Sequence, residues 1–260
     1  MPLEEIINRQ VIIISAPASG AGKTTVTLGL INAFARKRSV QPFKSGPDYI
    51  DSKFQSVAAD CPSYNLDTWA MSSRDILNMI GMVAPSDICI AEGSMGLFDG
   101  VISKGAGGNG STADLASITN WPVILVVDCA KQAQSGAALI AGFNSFRHDI
   151  TIGGIILNNI SSKRHEALVV SEVSKTKVPI LGVIPRSNEL TIPERHLGLV
   201  QAEDLSDLEQ LIFKLGTLIE ENCDLEAIAC TARNSFPPIS TLQKITPPAQ
   251  RIAIARDNAF

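Results

Sequence analysis

The chain has 260 residues, 45% of them hydrophobic, which is enough apolar material for a large domain with a substantial core. With 22 Lys and Arg against 26 Asp and Glu the net charge is −4, so nucleic acid and anionic membrane surfaces are not expected partners and any basic site has to be local. The longest apolar runs fall far short of the roughly 20 residues a membrane span needs. Met1-Pro-Leu-Glu-Glu5 has neither the basic start nor the apolar stretch of a secretory leader, and the expected location is cytoplasmic.

In chain order, β-branched apolar runs predict buried strands at Val11–Ser15, Val40–Phe43, Ile88–Ala91, Val123–Val127, Ile152–Leu157 and Ile180–Ile184. Between them, helices are predicted near 23–37, 73–83, 133–146, 162–175 and 206–220. The last carries Leu208, Leu211, Ile212, Leu215, Leu218 and Ile219 at three-and-four spacing, a packing stripe. This alternation predicts an α/β fold, a doubly wound, mainly parallel sheet with helices on both faces.

Two segments interrupt the rhythm. From Gly93 to Gly110 the chain holds seven of its 19 glycines, and so long a loop inside a domain is expected to be functional or mobile. Thr231–Gln250, with Pro237, Pro238, Pro247 and Pro248, reads as an extended linker. After it, Arg251-Ile-Ala-Ile-Ala-Arg256 reads as a strand that opens a second domain or pairs back onto the first sheet. The expected division is 1–230, a linker at 231–250, and the first strand of another domain at 251–260. Five cysteines without a CxxC pair are expected as reduced thiols, and His148, His165 and His196 are too scattered for a metal cluster.

Strand Val11–Ser15 runs into Ala16-Pro-Ala-Ser-Gly-Ala-Gly-Lys-Thr-Thr25 and then a helix, the setting a phosphate-binding loop requires. Gly20 and Gly22 allow backbone N–H groups across Ser19, Ala21, Thr24 and Thr25 to turn inward, and the helix N-terminus adds partial positive charge. Lys23 is expected at the β- and γ-phosphates and the Thr24 hydroxyl on Mg²⁺. Where the usual motif begins with glycine this chain has Pro17, which excludes a positive φ at the loop entry.

The second strand leads into Phe43-Lys-Ser-Gly-Pro-Asp-Tyr-Ile-Asp51, and strand ends in such a sheet converge on the ligand. Lys44 is placed to neutralise phosphoryl charge, Asp48 to bind Mg²⁺ directly or through water, and Asp51 to face the acceptor; alternatively Gly46-Pro-Asp48 is a turn with solvated carboxylates. In Ile88-Cys-Ile-Ala-Glu-Gly-Ser-Met-Gly-Leu-Phe-Asp-Gly100, Glu92 ends a buried strand and is the second Mg²⁺ candidate, while Asp99 lies in the glycine loop. Asp128, ending the next strand, reads as a helix N-cap in preference to an outer-sphere metal ligand.

These motifs, with Leu157-Asn-Asn159 and Glu194-Arg-His-Leu-Gly-Leu199, resemble the N-terminal ATP-binding domain of the cobyrinic acid a,c-diamide synthases, glutamine-dependent ligases of cobalamin biosynthesis. The resemblance covers residues 11–201 and implies a P-loop NTPase-type fold similar to dethiobiotin synthetase. It also implies ATP-driven activation of the a and c carboxylates of a corrinoid as acyl phosphates, followed by attack of ammonia. Carried over by motif, Lys23 and Thr24 bind triphosphate and Mg²⁺, Asp48 and Glu92 complete the metal site, and Asp51 and Asp99 face the corrinoid and the acyl phosphate. Asn158 and Pro185 line the adenine; Arg195 and His196 carry only the family pattern. The family draws ammonia from a C-terminal glutaminase domain, and Arg251–Phe260 is similar to that domain's opening strand. A homodimer is compatible with the resemblance.

Nickel-sirohydrochlorin diamide synthases share nearly all these motifs, whereas dethiobiotin synthetases fit the glycine loop less well. Partition-type ATP switches, the alternative outside biosynthesis, generally carry a lysine five residues before the conserved one, where this chain has Ala18.

Overall fold

In the computed structural model, which describes residues 10–83, 86–187, 194–195, 198–199, 205, 207–234 and 249–253, Gln10–Ser15 forms strand β1, buried from Val11 onward. Successive side chains on a strand point to opposite faces, so Val11 and Ile13 enter one hydrophobic core while Ile12 and Ile14 enter another. The elements that follow are α1 (Lys23–Ala35), β2 (Val40–Ser45), α2 (Tyr49–Ala59), β3 (Tyr64–Leu66), α3 (Ser73–Met82) and β4 (Ile88–Glu92). Next come α4 (Thr112–Thr119), β5 (Val123–Asp128), α5 (Gly136–Phe146), β6 (Ile152–Ile160), α6 (Lys163–Val173) and β7 (Ile180–Pro185). The described chain continues with β8 (Glu194–Arg195), β9 (Gly198–Leu199), α7 (Leu208–Asn222), α8 (Leu225–Thr231) and β10 (Arg233–Asn234).

The strands lie in the order β3-β2-β4-β1-β5-β6-β7, all parallel, with β10 antiparallel to Gln10 and Val11 of β1; β8 and β9 form a separate pair. One core packs α3, α4, α5 and α6 against the sheet through residues such as Ile76, Leu115, Ile140 and Val169. The other packs α1, α2, α7 and α8 through Leu28, Phe54, Leu215 and Ile228. This is the expected doubly wound α/β sheet, and its six long strands fall where the apolar runs placed them. The leucine stripe is core, as expected: Leu208, Ile212, Leu215 and Ile219 are buried against α1, where Gly29 leaves room for the Leu215 carbonyl.

Besides the two-residue strands β8, β9 and β10, four elements have no counterpart in the sequence expectations. The short strand β3 and helices α2, α4 and α8 all start close to turn residues, and α2 is hidden because Gly46-Pro-Asp48 reads as a turn when it is also a helix entry. Here the Asp48 carboxylate accepts hydrogen bonds from the N–H groups of Ile50 and Asp51 at 3.0 and 3.3 Å, the N-cap of α2.

The glycine stretch is packed rather than loose. Ala106 and Gly107 donate backbone hydrogen bonds to the carbonyls of Trp69 and Thr68 at 2.7 and 2.9 Å, and a Cβ on Gly105 would collide with the Trp69 carbonyl. At its other end Leu97 N–H bonds the Ala16 carbonyl at 2.8 Å, tying the segment to the phosphate-binding loop. These glycines serve close backbone approach.

α8 and β10 carry the first residues of the expected linker into the sheet. Arg251, Ile252 and Ala253 are outside any strand, and the remainder of the expected strand, like most of the linker and His196, lies outside the described residues. No helix among the described residues is long and apolar enough to cross a membrane.

Candidate functional site

The parallel sheet brings the ends of β1, β2 and β4 to one edge, next to the position where the chain order switches sides of β1. From β1 the chain passes through a loop in which Gly20 and Gly22 have φ of 78° and 83°. Gly22 is the N-cap of α1; it offers no side-chain cap, and the first turn contains no acid. The leading N–H groups of the helix therefore face outward with its positive end, the arrangement that binds phosphate. A Cβ at Gly22 would strike the amide of Asn158, so glycine is required there by conformation and by space. Pro17, the departure from the usual loop, is accommodated by the neighbouring glycine stretch, whose Gly96 packs against the Pro17 carbonyl.

Register brings the second and third motifs together. In the β2–β4 pairing Lys44 lies opposite Glu92, and Lys44 Nζ is 3.2 Å from Glu92 Oε1. The cap at Asp48 starts α2 so that Asp51, in its first turn, forms a direct ion pair with Lys44. Thr24, in the first turn of α1, donates from Oγ1 to the same Glu92 Oε1 at 2.7 Å. The other Glu92 oxygen accepts from Gln55 Nε2 at 2.8 Å, and Gln55 is held in turn by Ser63 Oγ at 2.8 Å. Three motifs far apart in sequence thus close into one buried network, with the Glu92 side chain fully enclosed.

Burial would raise the pKa of Glu92, but Lys44, Lys23 and the two hydrogen bonds outweigh it and hold the carboxyl below its usual range. For Lys44, burial acts downward and is overcome by Glu92 and Asp51, so its ammonium is held more firmly than an ordinary lysine's. Asp51 is pushed up to about 7, by burial first and by the charge of Glu92, against the pull of Lys44. Burial also lowers Lys23, whose Nζ donates to the Met95 carbonyl at 3.2 Å. Asp48, exposed at its cap, is near enough for its charge to act on Lys23, Lys44 and Asp51.

Asp99 stands apart from this network. It is exposed, and its carboxylate accepts from Gly96 N–H at 2.9 Å, closing a turn next to the Met95 carbonyl on which Lys23 rests. Asn158 is buried and donates from Nδ2 to the Ala21 carbonyl at 3.0 Å, so it braces the phosphate-binding loop. Pro185 is exposed at the end of β7, opposite Ile160 of β6. Ser19 and Gly20 are exposed and Ala21 buried, with Thr24 and Thr25 in the first turn of α1. Asp128 is not a helix cap, contrary to expectation. Its Oδ1 accepts from Ala130 N–H at 3.0 Å and Asn159 Nδ2 at 2.8 Å in a local turn, and α5 begins only at Gly136.

The sequence reading missed Gln55 and Ser63. Gln55 lies one turn after Asp51 on the buried face of α2, so recognising the Asp48 cap would have revealed it. Two buried hydroxyls at the same sheet edge, Ser15 and Ser45, have no hydrogen-bond partner from the protein, which marks the edge as a place for a polar ligand. Among the described residues no group of three or more His, Cys, Asp or Glu side chains is arranged to hold a metal. A hydroxyl and a carboxylate as hard oxygen donors beside a phosphate site fit the manner in which Mg²⁺ is bound, with few protein ligands and the rest from phosphate and water.

The sequence matches the CbiA family model, the CobQ/CobB/MinD/ParA nucleotide binding domain, over residues 12–200. Hydrogenobyrinate a,c-diamide synthase from Rhodobacter capsulatus is 45% identical over 250 residues, covering 96% of this chain and 57% of that protein. The protein of the same name from Brucella anthropi is 44% identical over 253 residues, with 95% and 57% covered. The chain therefore spans little more than half the length of these relatives. Among solved structures, the MinC:MinD cell division protein complex of Aquifex aeolicus aligns with a TM-score of 0.50 at 15% identity, over 85% of this chain and 93% of that one, a likeness of fold. With the P-loop geometry and a match over residues 12–200, the chain belongs to the CbiA family of nucleotide-binding domains.

Proposed function

We propose that this chain is the carboxylate-activating part of an ATP-dependent a,c-diamide synthase whose substrate is hydrogenobyrinic acid or the related cobyrinic acid. The observation that carries the reading is the buried network Thr24–Glu92–Lys44–Asp51 at the head of α1, which sets one cation between two carboxylates of opposed pKa shift beside a phosphate-binding loop. The name shared by relatives at 44–45% identity supports the substrate class.

A carboxylate resists amidation because oxide is a poor leaving group, and phosphorylation replaces it with phosphate. In this reading Lys23 and the N–H groups from Ser19 to Thr25 bind the phosphates of ATP, while Asn158 and Pro185 lie toward the base. Thr24, Glu92 and Asp48 hold Mg²⁺, which when bound withdraws charge from the phosphate oxygens. Lys44 neutralises the charge that builds up as the substrate carboxylate closes on the γ-phosphate, and Asp51 fixes the Lys44 ammonium in place. Asp99 faces the acyl phosphate. Ammonia, delivered by a glutaminase-type domain, then attacks the acyl carbon; the C–O bond to phosphate breaks, phosphate leaves with the electron pair, and the nitrogen loses its proton to solvent.

The test is ATP-dependent amide formation from hydrogenobyrinic acid with ammonium as nitrogen donor. Lys23→Ala is expected to reduce turnover by at least about 100-fold, the scale of losing one preorganised charge at a transition state. Near-normal turnover by folded Lys23→Ala protein would remove the assignment.

A further inference from the structure

The charged network is bordered by exposed apolar side chains on the segments that follow β3 and β4. Because β2, β3 and β4 are parallel, the turn after β3 and the glycine stretch after β4 emerge at the edge where Lys44 and Glu92 meet. Backbone hydrogen bonds join them, from Ala106 N–H to the Trp69 carbonyl and from Gly107 N–H to the Thr68 carbonyl. On this joined surface Trp69 is 48% exposed, Met95 60%, Val101 53% and Ile102 entirely. Such residues are ordinarily scattered singly on a monomer's surface, whereas here two stitched segments carry four of them.

The patch is continuous with the site. Lys23 Nζ rests on the Met95 carbonyl, and Leu97 N–H bonds the loop entry at Ala16. Exposed Lys104 follows Ile102 on the same stretch. Apolar side chains beside Lys104 and the Lys23–Lys44 site suit a ligand with an apolar face and carboxylates at its edge.

We propose that Trp69, Val101 and Ile102 form the platform on which one face of the tetrapyrrole macrocycle lies, so that a peripheral carboxylate reaches Lys23 and Lys44 while another meets Lys104. This rests on the amidation reading above and adds the residues that select a macrocycle over a small acid. The packed glycines give the platform its rigidity, since a Cβ on Gly105 would push the stretch off the Trp69 turn. Exposed apolar area that stays dry only when ligand covers it contributes affinity, and an aromatic ring offers a further stacking contact.

The experiment compares wild-type chain, Ile102→Ser and Trp69→Ala, with Leu168→Ser as control because Leu168 is an exposed apolar residue on α6. Amidation is measured against hydrogenobyrinic acid and ATP in turn, and tetrapyrrole binding is read separately from tryptophan fluorescence, in which Trp69 is half exposed and Trp121 buried. Ile102→Ser and Trp69→Ala are each expected to raise the tetrapyrrole KM about tenfold with the ATP KM unchanged, and bound tetrapyrrole to quench the Trp69 part of the emission. Unchanged tetrapyrrole KM in both variants of an active enzyme would overturn the platform and leave the amidation reading standing. A concentration-dependent dimer that Ile102→Ser dissolves would overturn it in favour of a subunit contact. Failure of the wild type to bind or amidate any tetrapyrrole would overturn both.

Discussion

Lys44→Met tests whether the buried network is organised as described. Lys44, near the end of β2, is an ammonium with 4% of its side chain exposed, paired with Asp51 and 3.2 Å from Glu92 Oε1. Methionine fills similar volume, so the packing change is small and the electrostatic loss dominates. Removing one partner of a buried ion pair costs about 3–5 kcal/mol, because the remaining charge stays desolvated. Two carboxylates remain here, but part of the cost is avoidable, since burial and Glu92 already push Asp51 up to about 7 and it can take up a proton. The expected destabilisation is therefore about 3 kcal/mol at pH 8, at the low end of that range, and less at pH 5. The sign follows from proton counting: with Lys44 gone the folded state binds more protons than the unfolded one, so stability falls as pH rises through the raised carboxylate pKa and returns as pH falls. Urea unfolding of wild type, Lys44→Met and Lys44→Met/Asp51→Asn at pH 5 and 8 measures this, and the double variant is expected to recover part of the loss. A Lys44→Met protein as stable as wild type at pH 8, or a penalty that grows toward pH 5, would refute the argument.

Two further outcomes follow from the same geometry. Gly22→Ala places a Cβ against the Asn158 amide at a φ of 83°, so the folded variant is expected to lose nucleotide affinity at least about tenfold, measured by calorimetry with ATP and Mg²⁺. Gln55→Leu leaves one oxygen of a buried carboxylate and the Ser63 hydroxyl without a partner, which should cost about 1–3 kcal/mol in urea unfolding and raise the Mg²⁺ concentration needed for half-maximal ATP binding.

The phosphate-binding loop was legible because everything it needs is contiguous: a strand, two glycines, Lys23, Thr24 and a helix, all between Val11 and Ala35. The meeting of Lys44 with Glu92 was less so, because it depends on the register between β2 and β4, which no local pattern states. Asp48 illustrates competing turn chemistry. Gly-Pro-Asp suits both a loop and a helix entry, and only the buried spacing of Phe54, Gln55 and Ala58 decides for the helix. The glycines of 93–110 left two readings open, since a missing side chain is compatible with freedom or with a lack of room, and the Trp69 carbonyl beside Gly105 decides for the second. Asp128 looked like a cap because it follows a strand, but its acceptor is used by Ala130 and Asn159 long before α5 starts.

Transfer of oxygen from the substrate reports carboxylate activation itself. If a tetrapyrrole carboxylate is activated as an acyl phosphate, hydrogenobyrinic acid labelled with ¹⁸O in its carboxylates must pass one labelled oxygen to inorganic phosphate for each amide formed, because the C–O bond that ammonia breaks is the one the phosphoryl group was placed on. Mass spectrometry of the released phosphate, with ammonium as nitrogen donor, reads this without reference to any variant. ¹⁸O-phosphate and amide are expected in equal amounts; unlabelled phosphate accompanying amide formation would contradict acyl-phosphate activation.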